Sequence, residues 1–196
     1  MHKIILGSTS PRRKEIMNFF SLPFTQVSSP FDESQVPYLK DPIAYVCKLA
    51  EEKAKALKDA YHDSIILTAD TMVFIDGELL GKPKDEKETV EMLTKLSGRW
   101  HSVFTAVAVT TQATTFCEAE ETKVHCNTLS IDDIHRYMRA HSLTDKAGAY
   151  AIQKSGSMLV KEINGCYYNV MGLPINTVRK LLFKAGIDLW DYLKPF

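Results

Sequence analysis

Between Ile4 and Phe20 the chain changes period. Lys3 to Leu6 form an apolar run that suits a buried strand, and Gly7 lets the backbone bend sharply. Ile16, Met17 and Phe20 then recur at helical spacing. Ser10 is placed to cap that helix, and Pro11 suits its first position, where a missing N–H costs nothing. A strand that delivers the chain into a capped helix is, so far, ordinary architecture.

Arg12 and Arg13 break a local rule. The first turn of a helix is the positive end of its dipole, where each cation is disfavoured by roughly 0.3–1 kcal/mol. An anion resting on the free N–H groups of that turn reverses the sign, and guanidinium forks bind phosphate oxygens two at a time. Residues 8–13 therefore read either as a phosphate grip or as two solvated arginines opening an amphipathic helix. No Gly-Lys-Ser/Thr follows, so this is not a Walker A loop.

With 196 residues, 45% of them hydrophobic, the chain can build one core, or one core divided by a cleft. A single domain with two lobes is expected over residues 1–196. Lys plus Arg equals Asp plus Glu at 24 each, so no global field recruits nucleic acid or an anionic membrane, and the partner expected is a small molecule. Cys47, Cys117, Cys126 and Cys166 form no CxxC pair, and the N-terminus shows no signal-peptide pattern, so a reduced cytoplasm is the location expected. The six histidines show no HxH or HExxH spacing, so a metal here would be a hard ion on carboxylates rather than zinc. No apolar run approaches membrane-spanning length.

Further along, a polar loop sets Asp32 beside Glu33, as a site-lining pair or as a solvated acidic turn. Asp41-Pro42 opens a helix to about Tyr61, with Ile43, Val46, Cys47, Ala50, Ala54 and Leu57 on its buried face and several lysines, Lys53 among them, on the remainder. Ser64 to Ala69 reads as a buried strand ending at Asp70 and Thr71. An acid beyond the carboxyl end of a strand is either a catalytic or metal-binding group or an ordinary turn residue. Asp76-Gly77 marks a hairpin, after which Gly81-Lys82-Pro83 is expected to return Lys82 toward Asp70. Helices are expected from Asp85 to Leu96, from Ser130 with Ile131, Ile134, Tyr137 and Met138 inward, and from Pro174 to near Gly186. Strands are expected over 99–110, 116–128, 157–163 and 166–170, the last two joined as a hairpin at Asn164-Gly165. His101 reads as a structural residue, and the small-residue loop 145–153 as a close approach to a ligand.

GSTSPRR at 7–13, the Glu of FDES, AEEKA at 50–54, ADT at 69–71, GKP at 81–83, LSGRWHSVFT at 96–105, DKAGAYAIQ at 145–153 and INGCYYNVMGLP at 163–174 occur in this order. In these motifs, which span most of its length, the chain resembles the Maf family of nucleoside triphosphate pyrophosphatases, also called septum-formation inhibitor proteins. The resemblance implies an α/β fold with a mixed twisted sheet flanked by helices, two lobes and a central cleft, similar to the inosine triphosphate pyrophosphatases. It implies metal-dependent hydrolysis of a nucleoside triphosphate to the monophosphate and pyrophosphate, with Mg²⁺ or Mn²⁺ as cofactor, and suggests a homodimer. On the same basis Ser8, Ser10, Arg12, Arg13, Lys53 and Lys82 bind phosphates, Asp70 is the catalytic base, and Glu33 is a metal ligand with Asp70 sharing the ion.

Thr71 and Gln153, with Arg12, occupy the positions that the resemblance ties to substrate choice, and they match members acting on dTTP and UTP. Members acting on 7-methyl-GTP carry Gln and Glu where this chain has Thr71 and Gln153. A Gln amide both donates and accepts, which suits the imide edge of uracil or thymine. The reaction expected is in-line attack of water on the α-phosphorus, with the metal bridging phosphate and carboxylate oxygens. Modified pyrimidine nucleotides belong to the same reading. A pyrophosphatase for purine or damaged triphosphates and a nucleotide-binding regulator of cell division are the alternatives.

Overall fold

The computed structural model describes residues 3–195, so His2 lies outside it. The opening apolar run forms β1 (Ile4–Gly7), buried along its whole length, and Ser10 caps α1 (Pro11–Met17) by accepting the Arg13 N–H. β2 (Phe24–Val27) is followed by α2 (Pro42–Lys58), capped by Asp41 with Pro42 in its first turn. Next come β3 (Ile65–Ile75), β4 (Glu78–Leu80), α3 (Glu86–Leu96), β5 (Trp100–Thr110) and β6 (Thr115–Cys126). The chain closes with α4 (Ile131–Ala140), β7 (Val160–Asn164), α5 (Tyr167–Met171) and α6 (Ile175–Lys184). One seven-stranded sheet runs β2-β1-β3-β5-β6-β7, with β4 also on β3. β1 pairs in parallel with β2 and β3, whereas β4 on β3 and β7 on β6 are antiparallel. This is the mixed α/β sheet the motifs imply.

β3 departs from expectation in a way that matters. It does not end at Ala69 but runs through Asp70 and Thr71 to Ile75, because it changes partner on the way. Ile65 to Leu67 pair with β1, and Val73 to Ile75 pair with β4 across the left-handed Asp76-Gly77 turn. Asp70 is thus a mid-strand residue, set where β1 has stopped and β4 has not begun.

The Asn164-Gly165 signal does not make a hairpin, and 166–170 is not a strand. Gly165 has φ 133°, and a Cβ there would lie 2.8 Å from Thr122 Oγ1. That hydroxyl accepts the Cys166 N–H at 3.0 Å and donates to Cys166 O at 3.2 Å. Asn169 Nδ2 then donates to Val103 O and Thr122 Oγ1, both at 2.9 Å, which winds the chain into α5 instead of extending it. Residues Lys154–Leu159 form a 3-10 helix, so β7 starts at Val160 rather than near Ser157. Ile43 and Ile131, expected inward, are 52% and 53% exposed, since each sits in the first turn of its helix ahead of the buried stripe.

The chain divides into two compact units with separate cores. The first comprises residues 3–70, 105–120 and 172–195, and in it Ile5, Ala54, Leu57 and Ile66 pack as one cluster between α2 and the sheet. Full burial of an isoleucine or leucine side chain such as Ile5, Leu57 or Ile66 stabilises by about 1.5–3 kcal/mol. The second comprises residues 71–104 and 121–171, and Val73, Leu93, Leu96, Val124, Ile134 and Tyr150 are at the centre of its core. α3 and α4 pack on one another there, each with an acidic side chain at its capping turn. Among the described residues no helix is long and apolar enough to cross a membrane.

Candidate functional site

The turn after β1 is held both by its own backbone, where the Ser8 N–H donates to Leu6 O at 2.9 Å, and by side chains packed around it. Gly7 is required by packing, since a Cβ there would come within 2.5 Å of Leu57 Cδ1 and 2.8 Å of Thr68 Cγ2. Ser8 Oγ accepts from the Ser10 N–H at 3.3 Å and from Arg13 Nη1 at 3.0 Å. The same Nη1 donates to Ala69 O at 2.7 Å, and Arg13 Nε donates to Gly172 O at 2.8 Å. Arg13 therefore ties together the turn, β3 beside Asp70, and the segment before α6. Burial pulls its pKa down from the ordinary arginine value, and the charge of Asp70 opposes that pull. Arg12, on the preceding position of α1, is half-buried.

Asp70 is 4% exposed. One of its oxygens, Oδ1, accepts a hydrogen bond from Lys53 Nζ, and the same ammonium lies 2.7 Å from Glu33 Oε1. α2 supplies Lys53, and the loop that supplies Glu33 is fastened to that helix where Ser29 Oγ donates to Lys53 O at 3.0 Å. Asp32 and Glu33 have separated roles. Asp32 caps the short 3-10 turn by accepting from the Ser34 N–H and hydroxyl, and those hydrogen bonds lower its pKa, while Glu33 faces Lys53.

Asp70 Oδ2 is buried with no hydrogen-bond partner among the described residues. Such an atom is costly unless a water, ion or ligand completes it. Burial raises the Asp70 pKa above the usual carboxylate range; Lys53 pulls it back, and Glu33 pushes it further up. The result is a carboxylate more basic than a surface aspartate, anchored at one oxygen and open at the other. Among the described residues no group of three or more His, Cys, Asp or Glu is gathered for a metal ion. Two carboxylates and an orphaned oxygen nonetheless suit Mg²⁺ or Mn²⁺, which take one or two carboxylates and fill their remaining positions with substrate phosphates and water.

Thr71, Lys82 and Gln153 belong to the second unit. Lys82 is exposed, two positions beyond the last β3–β4 pair, Val73↔Leu80. The GKP and AGAY segments are joined there, since the Gly148 N–H donates to Gly81 O at 3.0 Å. Gly148 has φ 66°, and a Cβ on it would press on Val73 at 3.0 Å, so this loop depends on glycine both for its conformation and for its approach to β3. Gln153 caps the 3-10 helix that follows, with the Gly156 N–H on its carbonyl at 3.0 Å. His101 is structural, its Nε2 2.7 Å from the Tyr150 hydroxyl in the core.

The profile described as Maf-like protein matches residues 3–185. The chain belongs to the Maf family. A Maf relative from Chlamydia felis, named dTTP/UTP pyrophosphatase, is 45% identical over 192 residues, covering 97% of this chain and 98% of that one. One of the same name from Clostridium acetobutylicum is 43% identical over 198 residues, covering 95% and 100%. A third, from Chlamydia muridarum, is 40% identical over 97% of this chain and 98% of its own length, and is named nucleoside triphosphate pyrophosphatase. Among solved structures, the Staphylococcus aureus Ham1 protein is similar with a TM-score of 0.47 and 13% identity, covering 97% of this chain and 93% of that one. A HAM1 protein from Coxiella burnetii gives 0.45 and 16%, covering 64% and 73%.

Two residues of this candidate site escaped the sequence reading. Tyr45 stands two helical turns before Lys53 on α2, and burial followed by the charges of Asp70 and Glu33 raises its pKa. It packs edge-on against Tyr38 at 5.4 Å between ring centroids. The spacing from Lys53 was a usable signal. Gln26 Nε2 donates to Ser8 O at 2.7 Å and Ser10 O at 3.2 Å. Nothing in the sequence around Gln26 indicates this, because the contact depends on how β2 registers against β1.

Proposed function

We propose that this Maf protein hydrolyses dTTP and UTP to the monophosphate and pyrophosphate. The observation that carries the chemistry is Asp70, buried, raised in pKa, anchored by Lys53 at Oδ1 and, among the described residues, without a hydrogen-bond partner at Oδ2. A base needs a pKa nearer to the working pH than a surface aspartate has, and a free lone pair to take the proton. The full-length relatives named dTTP/UTP pyrophosphatase support the substrate.

In this reading Asp70 takes a proton at Oδ2 from the water that attacks the α-phosphorus. Lys53 fixes the orientation of the carboxylate and balances its charge together with that of Glu33. Ser8, Ser10 and Arg12 bind phosphate oxygens, and Arg13 holds the turn that presents them. Lys82 is a further phosphate contact, and Thr71 and Gln153, with Arg12, set the preference for pyrimidines, Gln153 by pairing its amide with the imide edge. Glu33 and Asp70 would hold Mg²⁺ or Mn²⁺, which when bound neutralises charge on the phosphate oxygens. A panel of triphosphates with product identification tests the proposal. Pyrophosphate and monophosphate are expected from dTTP and UTP, well above GTP and ATP. Orthophosphate as primary product, or no turnover of any triphosphate, would overturn it.

A further inference from the structure

We propose that Gln26 is a positioning residue for the phosphate-binding turn, directing its backbone through two carbonyl contacts and thereby setting the affinity for the triphosphate. Both contacts come from one amide nitrogen, Nε2, which donates to Ser8 O at 2.7 Å and to Ser10 O at 3.2 Å. The register Leu6↔Gln26 explains the reach: Gln26 lies across from the strand end that leads into Ser8, and its side chain spans the remaining distance.

The consequence follows from peptide geometry. In a trans peptide the carbonyl and the following N–H point to opposite sides. Drawing Ser8 O toward β2 turns the Thr9 N–H away from β2. Drawing Ser10 O the same way fixes the peptide that leads into Pro11. Arg13 meanwhile holds the Ser8 hydroxyl and Ala69 O from the other direction. The turn is thus clamped twice, by Arg13 on its side chain and by Gln26 on its backbone.

Gln26 also lines a surface recess of about 720 Å³ with Lys14, Asn18, Thr25 and Lys194. If the amide is removed, water in that recess can satisfy both carbonyls, so the fold need not suffer. What water cannot supply is a fixed direction. Loss of Gln26 should therefore weaken substrate binding while leaving stability and the chemical step nearly intact.

This inference rests on the reading of residues 8–13 as the phosphate grip. The test compares Gln26→Leu, which keeps volume and loses the donors, with Gln26→Arg, whose planar fork restores N–H donors without adding an acceptor. The readouts are kcat and KM for dTTP, the calorimetric Kd for a non-hydrolysable dTTP analogue, and the thermal midpoint. For Gln26→Leu, KM and Kd should rise about tenfold, with kcat changed less than about threefold and the midpoint by a few degrees. Gln26→Arg should recover most of the affinity. An unchanged KM and Kd in Gln26→Leu, or a Gln26→Arg variant no better than it, overturns the inference. Failure of the functional reading looks different. If the wild-type protein binds the analogue without hydrolysing dTTP, the hydrolase reading falls and the Kd ratio still decides the role of Gln26; if it does not bind, both fall.

Discussion

At Asp70 burial pulls against the positive charges of Lys53 and Arg13, and burial wins. Its pKa is raised in the folded protein, so the stability linked to it is fully present below the unfolded value of 3.8 and lost as pH rises through the folded value. As pH rises above 3.8 the protein increasingly bears the cost of keeping this carboxylate buried. Asp70→Asn should therefore lower kcat by about two to four orders of magnitude, retain nucleotide binding, and gain stability relative to the wild type at pH 7. Denaturation curves with single-turnover kinetics check this, and an unchanged rate would exclude the base role. Lys53 is the largest influence holding the Asp70 pKa down. Lys53→Met should move the acid limb of the kcat/KM profile to higher pH as well as slow the reaction; a limb that stays in place would separate Lys53 from the ionisation of Asp70.

Elements whose start is written in local chemistry were legible. Ser10-Pro11, Asp41-Pro42, Asp85 with Glu88, and Ser130 with Asp133 all cap helices at the expected positions. The elements misread are those decided by partners far away in sequence. β3 continues past Asp70 because β4 takes over its pairing, and 166–170 winds into α5 because Thr122 and Asn169 capture it. The site divides in the same way. The GSTSPRR turn and the strand carrying Asp70 were readable from pattern, whereas Gln26, and the use of Arg13 as a brace, depend on register and on Gly172. The loop carrying Gln153 holds a testable strain, since Lys154 adopts φ 54°, a left-handed conformation that costs a non-glycine residue roughly 1 kcal/mol. Lys154→Gly should raise stability by about that amount in urea titration. Gln153→Glu should erode the preference for dTTP and UTP in the same triphosphate panel, and an unchanged substrate ratio would count against Gln153 as the reader of the base.

Across the whole molecule, the two units carry pH dependences of opposite sign. In the second, burial holds His101 neutral with its pKa lowered from 6.5 to about 4. A lowered folded pKa means stability that is present above 6.5 and is lost as pH falls through about 4. Between pH 7 and pH 5 the wild type should lose about 2 kcal/mol more than His101→Gln, as read from urea unfolding at the two pH values. Equal slopes would show that His101 is not the acid-sensitive group. Asp70, in the first unit, works the other way. Arg13 adds a constraint of another kind, on timing. Its guanidinium reaches the Ser8 hydroxyl, Ala69 O and Gly172 O, so the candidate phosphate turn, though its strand and helix form from neighbouring residues, is not fully braced until a segment 159 residues further along the chain has packed against it. A folding chain can therefore have this strand and helix early and still lack the braced turn, which ties completion of the candidate site to a long-range contact that forms late.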